Sequence, residues 1–487
     1  MRELFLETNF PKDMKLRHLK DWQTFQATTL IATTARLVHV NGEKVMPYLA
    51  EKWDISQDKK EYTFYLNQNA CFSDGSPITA EDVLWCFKRH ILLEGQFASV
   101  LRECLLEGQL LKNYDDNIKG LKVINKFTFK VRFFEPVSTF LNYVSMISFT
   151  IFKREDCSVE EDNITSPRFA SSGPYSIISY NTEEVVLILN EKQWIKVNKN
   201  SPERVSIKPA TSSSVESFLS GKNDLAFMQD ITLKEKNLDI NNLNILSQNA
   251  VQFFLSPDFK GPALKYYPEI AAMIHKALDR KLLARLVKKT KGHELSVDAS
   301  MHLSLKQFKS QVVENNSGKE RSENITNLKS MNLEVTIAYP SQKEIYVEAL
   351  TEVLQDIGIR VKFLSMNFMD LKAMPKTGQY DFSLRGHGFH KTKPSIIIPF
   401  LLNSDCRYLN LHPRYPIYEF LKSPGKAKNI FQHSVVIRDF NIANLKYGAV
   451  IPLYTTRHFI VVSDTVDISQ VDDIEDFYFY SNLNIKD

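Results

Sequence analysis

Residues 47–89 read P-Y-L-A-E-K-W-D-I-S-Q-D-K-K-E-Y-T-F-Y-L-N-Q-N-A-C-F-S-D-G-S-P-I-T-A-E-D-V-L-W-C-F-K-R. Within it Tyr62, Phe64 and Leu66 fall on alternate positions, the period of a strand with one buried face. Asp74-Gly75-Ser76-Pro77 is turn chemistry: short polar side chains that bond their own backbone, a glycine, and a proline with fixed φ. Thr79-Ala80-Glu81-Asp82 then supplies a hydroxyl N-cap with an acid three residues on, so a helix is expected from Thr79. Its apolar side carries Val83, Cys86, Phe87 and His90 at helical spacing. Trp53 and Trp85 read as packing residues.

Working outward, Phe127, Phe129, Val131 and Phe133 alternate as a second strand, and Val185, Leu187 and Leu189 as a third. Residues 45–150 are therefore expected to be rich in β structure. The second half carries a different pattern. Leu333–Ala338 is an apolar strand, Tyr346, Leu350, Val353, Leu354 and Ile357 form a helical stripe, and Gly358 can close that helix in the left-handed conformation. Ile359, Val361 and Phe363 alternate after it. Strand, helix and strand in about 30 residues predict a βαβ unit with a right-handed crossover. Gln311–Thr326 is polar and without apolar period, which reads as a surface loop.

Composition narrows the classes. With 487 residues, 43% hydrophobic and 24% charged, the chain has ordinary globular composition and room for at least two cores. A net charge of +4 spread over that length lacks the clustered basic footprint of a nucleic-acid binder. The five cysteines, Cys71, Cys86, Cys104, Cys157 and Cys406, form no C-x-x-C pair. Thiol ligation of zinc is thus not expected; the cysteines read mostly as buried thiols, with one disulfide left open. The most apolar run, Phe140–Phe152, is too short for a membrane span of roughly 20 residues. Residues 1–30 contain Glu3, Glu7, Asp13 and Asp21 and no continuous apolar run, so they do not read as a leader. No G-x-S-x-G elbow, H-E-x-x-H helix or Walker A loop occurs, and no enzyme is expected. His387 and His390 have H-x-x-H spacing, but in a strand end and loop that spacing does not bring two ligands together. Neither a cofactor nor a metal site is expected.

The stretch 47–89 resembles the signature of the family 5 solute-binding proteins, the oligopeptide-, dipeptide- and nickel-binding receptors of ABC importers. Further segments follow in the family's order: Ser172-Gly173-Pro174-Tyr175, Gly221–Ala226, Ile270–Leu282 (similar to the helix ending A-I-D-R), Ile357-Gly358-Ile359, Tyr380-Asp381, and Val450–Tyr454. The resemblance spans roughly residues 30–460. It implies an α/β, periplasmic-binding-protein-like fold of two α/β lobes joined by a hinge, with an inserted β-rich domain. Lobe I would take residues 1–37, 159–250 and 453–487, the inserted domain 38–158, and lobe II 251–452, with crossings near Ala250–Phe254 and Pro452–Thr456. It further implies a monomer that closes on a peptide or small-molecule ligand and delivers it to an ABC permease, with no nucleic acid involved. The location implied is periplasmic or extracytoplasmic; in the absence of a visible leader, cytoplasmic is the alternative.

One departure bears on the ligand. In peptide-binding members the strand after Tyr-Asp leads into G-W-x-x-D-x-x-D-P, whose first acid pairs with the peptide's amine. Here Gly386-His387-Gly388-Phe389-His390-Lys391-Thr392-Lys393-Pro394 stands in its place, with His390 where that acid would be. A neutral or cationic group cannot partner an ammonium, and a buried unpaired charge costs several kcal/mol. Arg385, His387, Phe389 and His390, with Phe254 at the first crossing, are the candidate ligand contacts. With Lys391 and Lys393 they suit an anionic or carboxylate-bearing ligand; solvated lysines without a ligand role are the plain alternative. Two other readings compete: a cytoplasmic ligand-sensing domain acting through a protein partner, and a metal or metal-chelate receptor resting on His387 and His390.

Overall fold

The computed structural model describes residues 2–291, 318–366, 378–389 and 444–486, apart from residues 9, 12, 20–23, 42–43, 96–97, 138–139, 192–193, 212–213, 230–232, 234–235, 341–345, 445, 447, 449, 470 and 472–477. The chain divides into two compact units. Unit 1 takes Met1–Met228, Asn237–Gln248 and Phe459–Asp487; unit 2 takes Gln229–Lys236 and Asn249–His458. Two long strands, Ile245–Pro257 and Ile451–Val462, are each divided between them.

In unit 1, strand Glu3–Thr8 lies parallel to Arg204–Pro209, and Val185–Leu189 and Tyr175–Tyr180 complete a four-stranded sheet. A second, antiparallel sheet has the order Ala50–Ile55, Glu61–Leu66, Thr128–Arg132, Leu121–Asn125. The alternation in the sequence is realised: Tyr62, Phe64, Leu66, Phe129 and Val131 are all buried. The helix expected at Thr79 runs Ala80–Leu92. Both the N–H and the hydroxyl of Thr79 donate to the Asp82 carboxylate, at 2.8 and 2.7 Å. The helix then lays Val83, Phe87 and His90 inward, where Phe87 meets the rings of Phe129, Phe140 and Phe149. Asp74 accepts from the Ser76 N–H and hydroxyl and pairs with Lys153, which fixes the turn ahead of the helix. Among the described residues, Cys71, Cys86, Cys104 and Cys157 form no disulfide with one another. Cys406 lies outside the described residues.

Unit 2 contains the expected βαβ unit. Strand Glu334–Pro340, helix Val347–Asp356 and strand Arg360–Met366 follow one another, and the two strands pair in parallel. Gly358 sits at φ +89° just past the helix, and a Cβ there would press on Lys329. Strand Phe382–Phe389 joins the other edge of Glu334–Pro340 in parallel and pairs antiparallel with Ile245–Pro257. Phe253, Leu255, Phe382 and Leu384 belong to the unit's core with Leu350, Val353, Leu354 and Ile357.

Two expectations fail here. Gln311–Thr326 is not all loop, because Gly318–Met331 is a helix; residues 311–317 lie outside the described residues. Its polar sequence hid it: only Ile325, Leu328 and Met331 face the core, and the helix is held by packing on its neighbour Ile270–Ala277, where Lys276 bonds Glu320 at 2.7 Å. Second, Ile270–Leu282 is not one helix. Ile270–Ala277 ends at Leu278, which has ψ 124°, and a new helix Arg280–Lys291 begins with the Leu282 N–H donating to Asp279 at 2.8 Å.

Candidate functional site

The strand that carries the candidate contacts is fixed at its start by a buried carboxylate. Asp381 is fully buried and accepts from the N–H groups of Ala263 (2.6 Å), Leu264 (3.0 Å) and Thr336 (2.8 Å). One side chain thereby ties a loop and a strand to the head of Phe382–Phe389. Gly261 passes so close that a Cβ would lie 2.3 Å from the Tyr380 carbonyl oxygen. Asp258 reinforces the corner, accepting from Lys260 N–H at 3.0 Å and Gly378 N–H at 3.1 Å. Tyr380-Asp381 is thus scaffolding, with every named acceptor engaged by backbone.

Beyond that corner the strand alternates. Phe382 and Leu384 turn into the core. Ser383 and Arg385 fall on the other face, and the register sets Ser256 opposite Ser383 and Phe254 opposite Arg385. Cross-strand partners have Cβ atoms about 5 Å apart, so Phe254 and Arg385 are direct neighbours. Arg385 is 6% exposed and Phe254 1% exposed. The Arg385 Nε donates to Ser383 Oγ at 2.9 Å, and its guanidinium also hydrogen-bonds the Tyr380 hydroxyl. Burial pushes the Tyr380 hydroxyl above its ordinary range, and Arg385 beside it opposes that shift. Arg385 therefore has its orientation set by two neighbouring hydroxyls.

Two residues further on, His387 pairs with Gln252, and Phe389 ends the strand opposite Ala250. Gly386, between Arg385 and His387, is required by packing: a Cβ there would strike the Phe253 ring at 2.7 Å, and that ring stacks on Tyr454 at 4.9 Å. His390, Lys391, Lys393 and Pro394 lie outside the described residues. The structure thus brings Phe254 and Arg385 together and continues the same strand through His387 and Phe389.

Sequence reading missed Ser383, Ser256 and Tyr380, which hold or flank Arg385. The signal was present, since Ser383, Arg385 and His387 recur at every second position of a strand whose other face is apolar. Among the described residues no group of three His, Cys, Asp or Glu is arranged to hold a metal ion. Nor is any described helix long and apolar enough to cross a membrane.

Asp74, Thr79 and Asp82 are engaged in the turn and cap described above. Arg280, the arginine of the Leu278-Asp279-Arg280 segment, is 8% exposed and donates from Nε to the Pro452 carbonyl at 2.6 Å and from Nη1 to the His275 carbonyl at 3.2 Å.

The sequence model described as "Bacterial extracellular solute-binding proteins, family 5 Middle" matches residues 44–406. The dipeptide-binding protein DppE of Bacillus subtilis is 27% identical over 220 residues, which take in 43% of this chain and 39% of that protein. The matched region thus spans about two fifths of that relative's length. The Escherichia coli murein tripeptide binding protein MppA superposes with a TM-score of 0.79 at 17% identity, over 99% of this chain and 98% of that one. The binding protein AgaA of A. tumefaciens R10, solved with agropinic acid, gives 0.77 at 18% identity over 100% and 99%. The two structures share the fold, and the sequence match over residues 44–406 settles the family: this chain belongs to the bacterial extracellular solute-binding proteins, family 5.

Proposed function

We propose that the chain is the substrate-binding protein of an ABC importer, an extracytoplasmic receptor that captures a peptide or similar small solute by closure of its two lobes and hands it to a membrane permease. No bond is made or broken. The ligand stabilises the closed form only to the extent that it binds that form better than the open one. The observation that carries this reading is the family match over residues 44–406, supported by relatives whose names describe dipeptide and murein tripeptide binding.

The ligand we propose bears a carboxylate or another anionic group, and it is met by Arg385, His387, Phe389 and His390, with Phe254 beside Arg385. The buried guanidinium of Arg385, oriented by Ser383 and Tyr380, supports this. A guanidinium so held gives planar, charge-assisted hydrogen bonds to a carboxylate and has nothing to offer an ammonium. AgaA, with agropinic acid, is a relative in fold whose bound ligand is not described as a peptide.

Native mass spectrometry of the purified chain, before and after denaturation and refolding, tests the proposal. Retained small anionic masses that are lost in Arg385→Gln would support it. A ladder of masses spaced like amino-acid residues and indifferent to Arg385→Gln would keep the receptor and remove the anion preference. A protein that carries no mass and binds neither peptides nor small acids on titration would sink the transport reading.

A further inference from the structure

Unit 1 holds a buried arginine that its described surroundings leave incompletely paired. Arg36 is 1% exposed. Its Nη1 donates to the Ser145 carbonyl at 2.9 Å, and its guanidinium carbon lies 5.0 Å from the centre of the Phe479 ring. Its Nε and Nη2, though buried, have no hydrogen-bond partner among the described residues. The Tyr48 hydroxyl is likewise buried without a partner. Tyr48 stands edge-on to the same Phe479 ring at 5.4 Å, and the Leu49 N–H donates to the Arg36 carbonyl at 3.0 Å, so both side chains leave one short stretch of fold and flank one ring. Burial pushes the Tyr48 hydroxyl well above its ordinary range, although Arg36 nearby opposes the shift. The phenol is therefore a donor at any ordinary pH.

The geometry points to a small-carboxylate site in unit 1, in which the Nε–Nη2 edge of Arg36 receives the two oxygens and the Tyr48 hydroxyl donates to one of them. Three considerations support it. The edge left unpaired is the side of the guanidinium that makes parallel, two-point hydrogen bonds, a match to a planar carboxylate. Among the described residues Arg36 has no acidic partner, so its buried charge is uncompensated there, and a bound anion removes that cost. The surroundings are aromatic: Phe479 below, His39 edge-on to it at 4.9 Å, and Tyr48 within 5.9 Å of Trp194. Tyr48 and Trp194 are both half-buried residues, and their rings flank the unpaired donors with apolar surface. That combination suits a monocarboxylate with an apolar or aromatic body. The site stands whether or not the importer reading holds, since every group in it belongs to unit 1.

Calorimetric titration of the full chain at constant ionic strength with sodium benzoate, benzamide and inorganic phosphate tests it. Benzoate should bind saturably, and benzamide, which has the same shape without the charge, at least about tenfold more weakly. Tyr48→Phe, which keeps the ring and removes one donor, should weaken benzoate about tenfold. Arg36→Gln should abolish the binding, and if that variant does not fold, Tyr48→Phe still decides. Benzamide or phosphate binding as tightly as benzoate would overturn the assignment, as would benzoate without measurable heat. So would loss of benzoate binding in Arg385→Gln with full affinity retained in Tyr48→Phe, which would put the carboxylate on the unit 2 strand.

Discussion

Unit 1 buries two arginines to the same degree, Arg36 and Arg89, each 1% exposed, and surrounds them in opposite ways. Arg89, near the end of helix Ala80–Leu92, donates to the carbonyls of Ser158 (2.8 Å), Glu161 (2.9 Å) and Asn163 (3.3 Å). Its Nη1 meets His18 Nε2 at 3.4 Å, and the Trp85 ring lies 6.0 Å away. That charge is solvated by backbone and acts as a rivet between the helix and residues 158–163. Among the described residues Arg36 has one carbonyl and one ring. Burial of a cation is thus no mark of function in this protein; the number of partners it finds is what separates the two.

The contrast can be broken by substitution. Arg89→Met should cost most, about 3–5 kcal/mol, because three carbonyls and His18 lose a shared donor inside the fold. Urea unfolding would read it, and a loss under about 1 kcal/mol would erase the distinction. Asp381→Asn extends the same logic to unit 2. Its carboxylate accepts from three backbone N–H groups, and an amide would turn a donor toward at least one of them, for a loss of about 2–3 kcal/mol. Retention of wild-type stability would show that the corner is held by packing alone.

A smaller effect concerns His18, which is packed against Phe152 and lies beside Arg89, His90 and Asp162. Burial, then the charge of Arg89 and the neighbouring His90, holds His18 well below the ordinary histidine value of 6.5. The unfolded chain therefore takes up a proton below pH 6.5 that the folded chain refuses. Stability from this group is complete above pH 6.5 and is lost as pH falls toward the depressed value. His18→Phe should flatten that part of the stability–pH curve, and an unchanged slope would assign it to other groups. Smallest of all is Arg36→Met, expected within about 1 kcal/mol of wild type in carboxylate-free buffer, since replacing an under-paired buried charge by an apolar side chain is close to neutral. A loss as large as that of Arg89→Met would make Arg36 a structural rivet and weaken the case for a site.

How much was legible follows from which interactions are local. The βαβ unit could be read because Leu350, Val353, Leu354 and Ile357 write their burial into the period, and Gly358 marks the helix end. Thr79 and Asp82 are likewise neighbours in sequence that bond each other. Helix Gly318–Met331 could not be read, because its formation rests on packing against a helix about 45 residues earlier and on only three apolar positions. The break after Ala277 escaped for a similar reason, since Asp279 as a helix cap competes with an unbroken helical pattern. At the candidate strand, Arg385 stood out by charge, while its partner Phe254 is found only through register. Arg36 gave no signal at all, because a missing partner is a property of three dimensions.

The last residues of unit 1 reach back to its first helix and its middle. Tyr480 donates to the Thr28 carbonyl at 2.8 Å, Asn198 Nδ2 to the Asn482 carbonyl at 2.7 Å, and Ser201 Oγ to the Ser481 carbonyl at 2.8 Å. On a ribosome adding about 5–20 residues per second, Thr28 waits roughly 20–90 s for its partner. These contacts of unit 1 consequently form only after its last segment has been made. Throughout that interval Thr28, Asn198 and Ser201 are without these native partners.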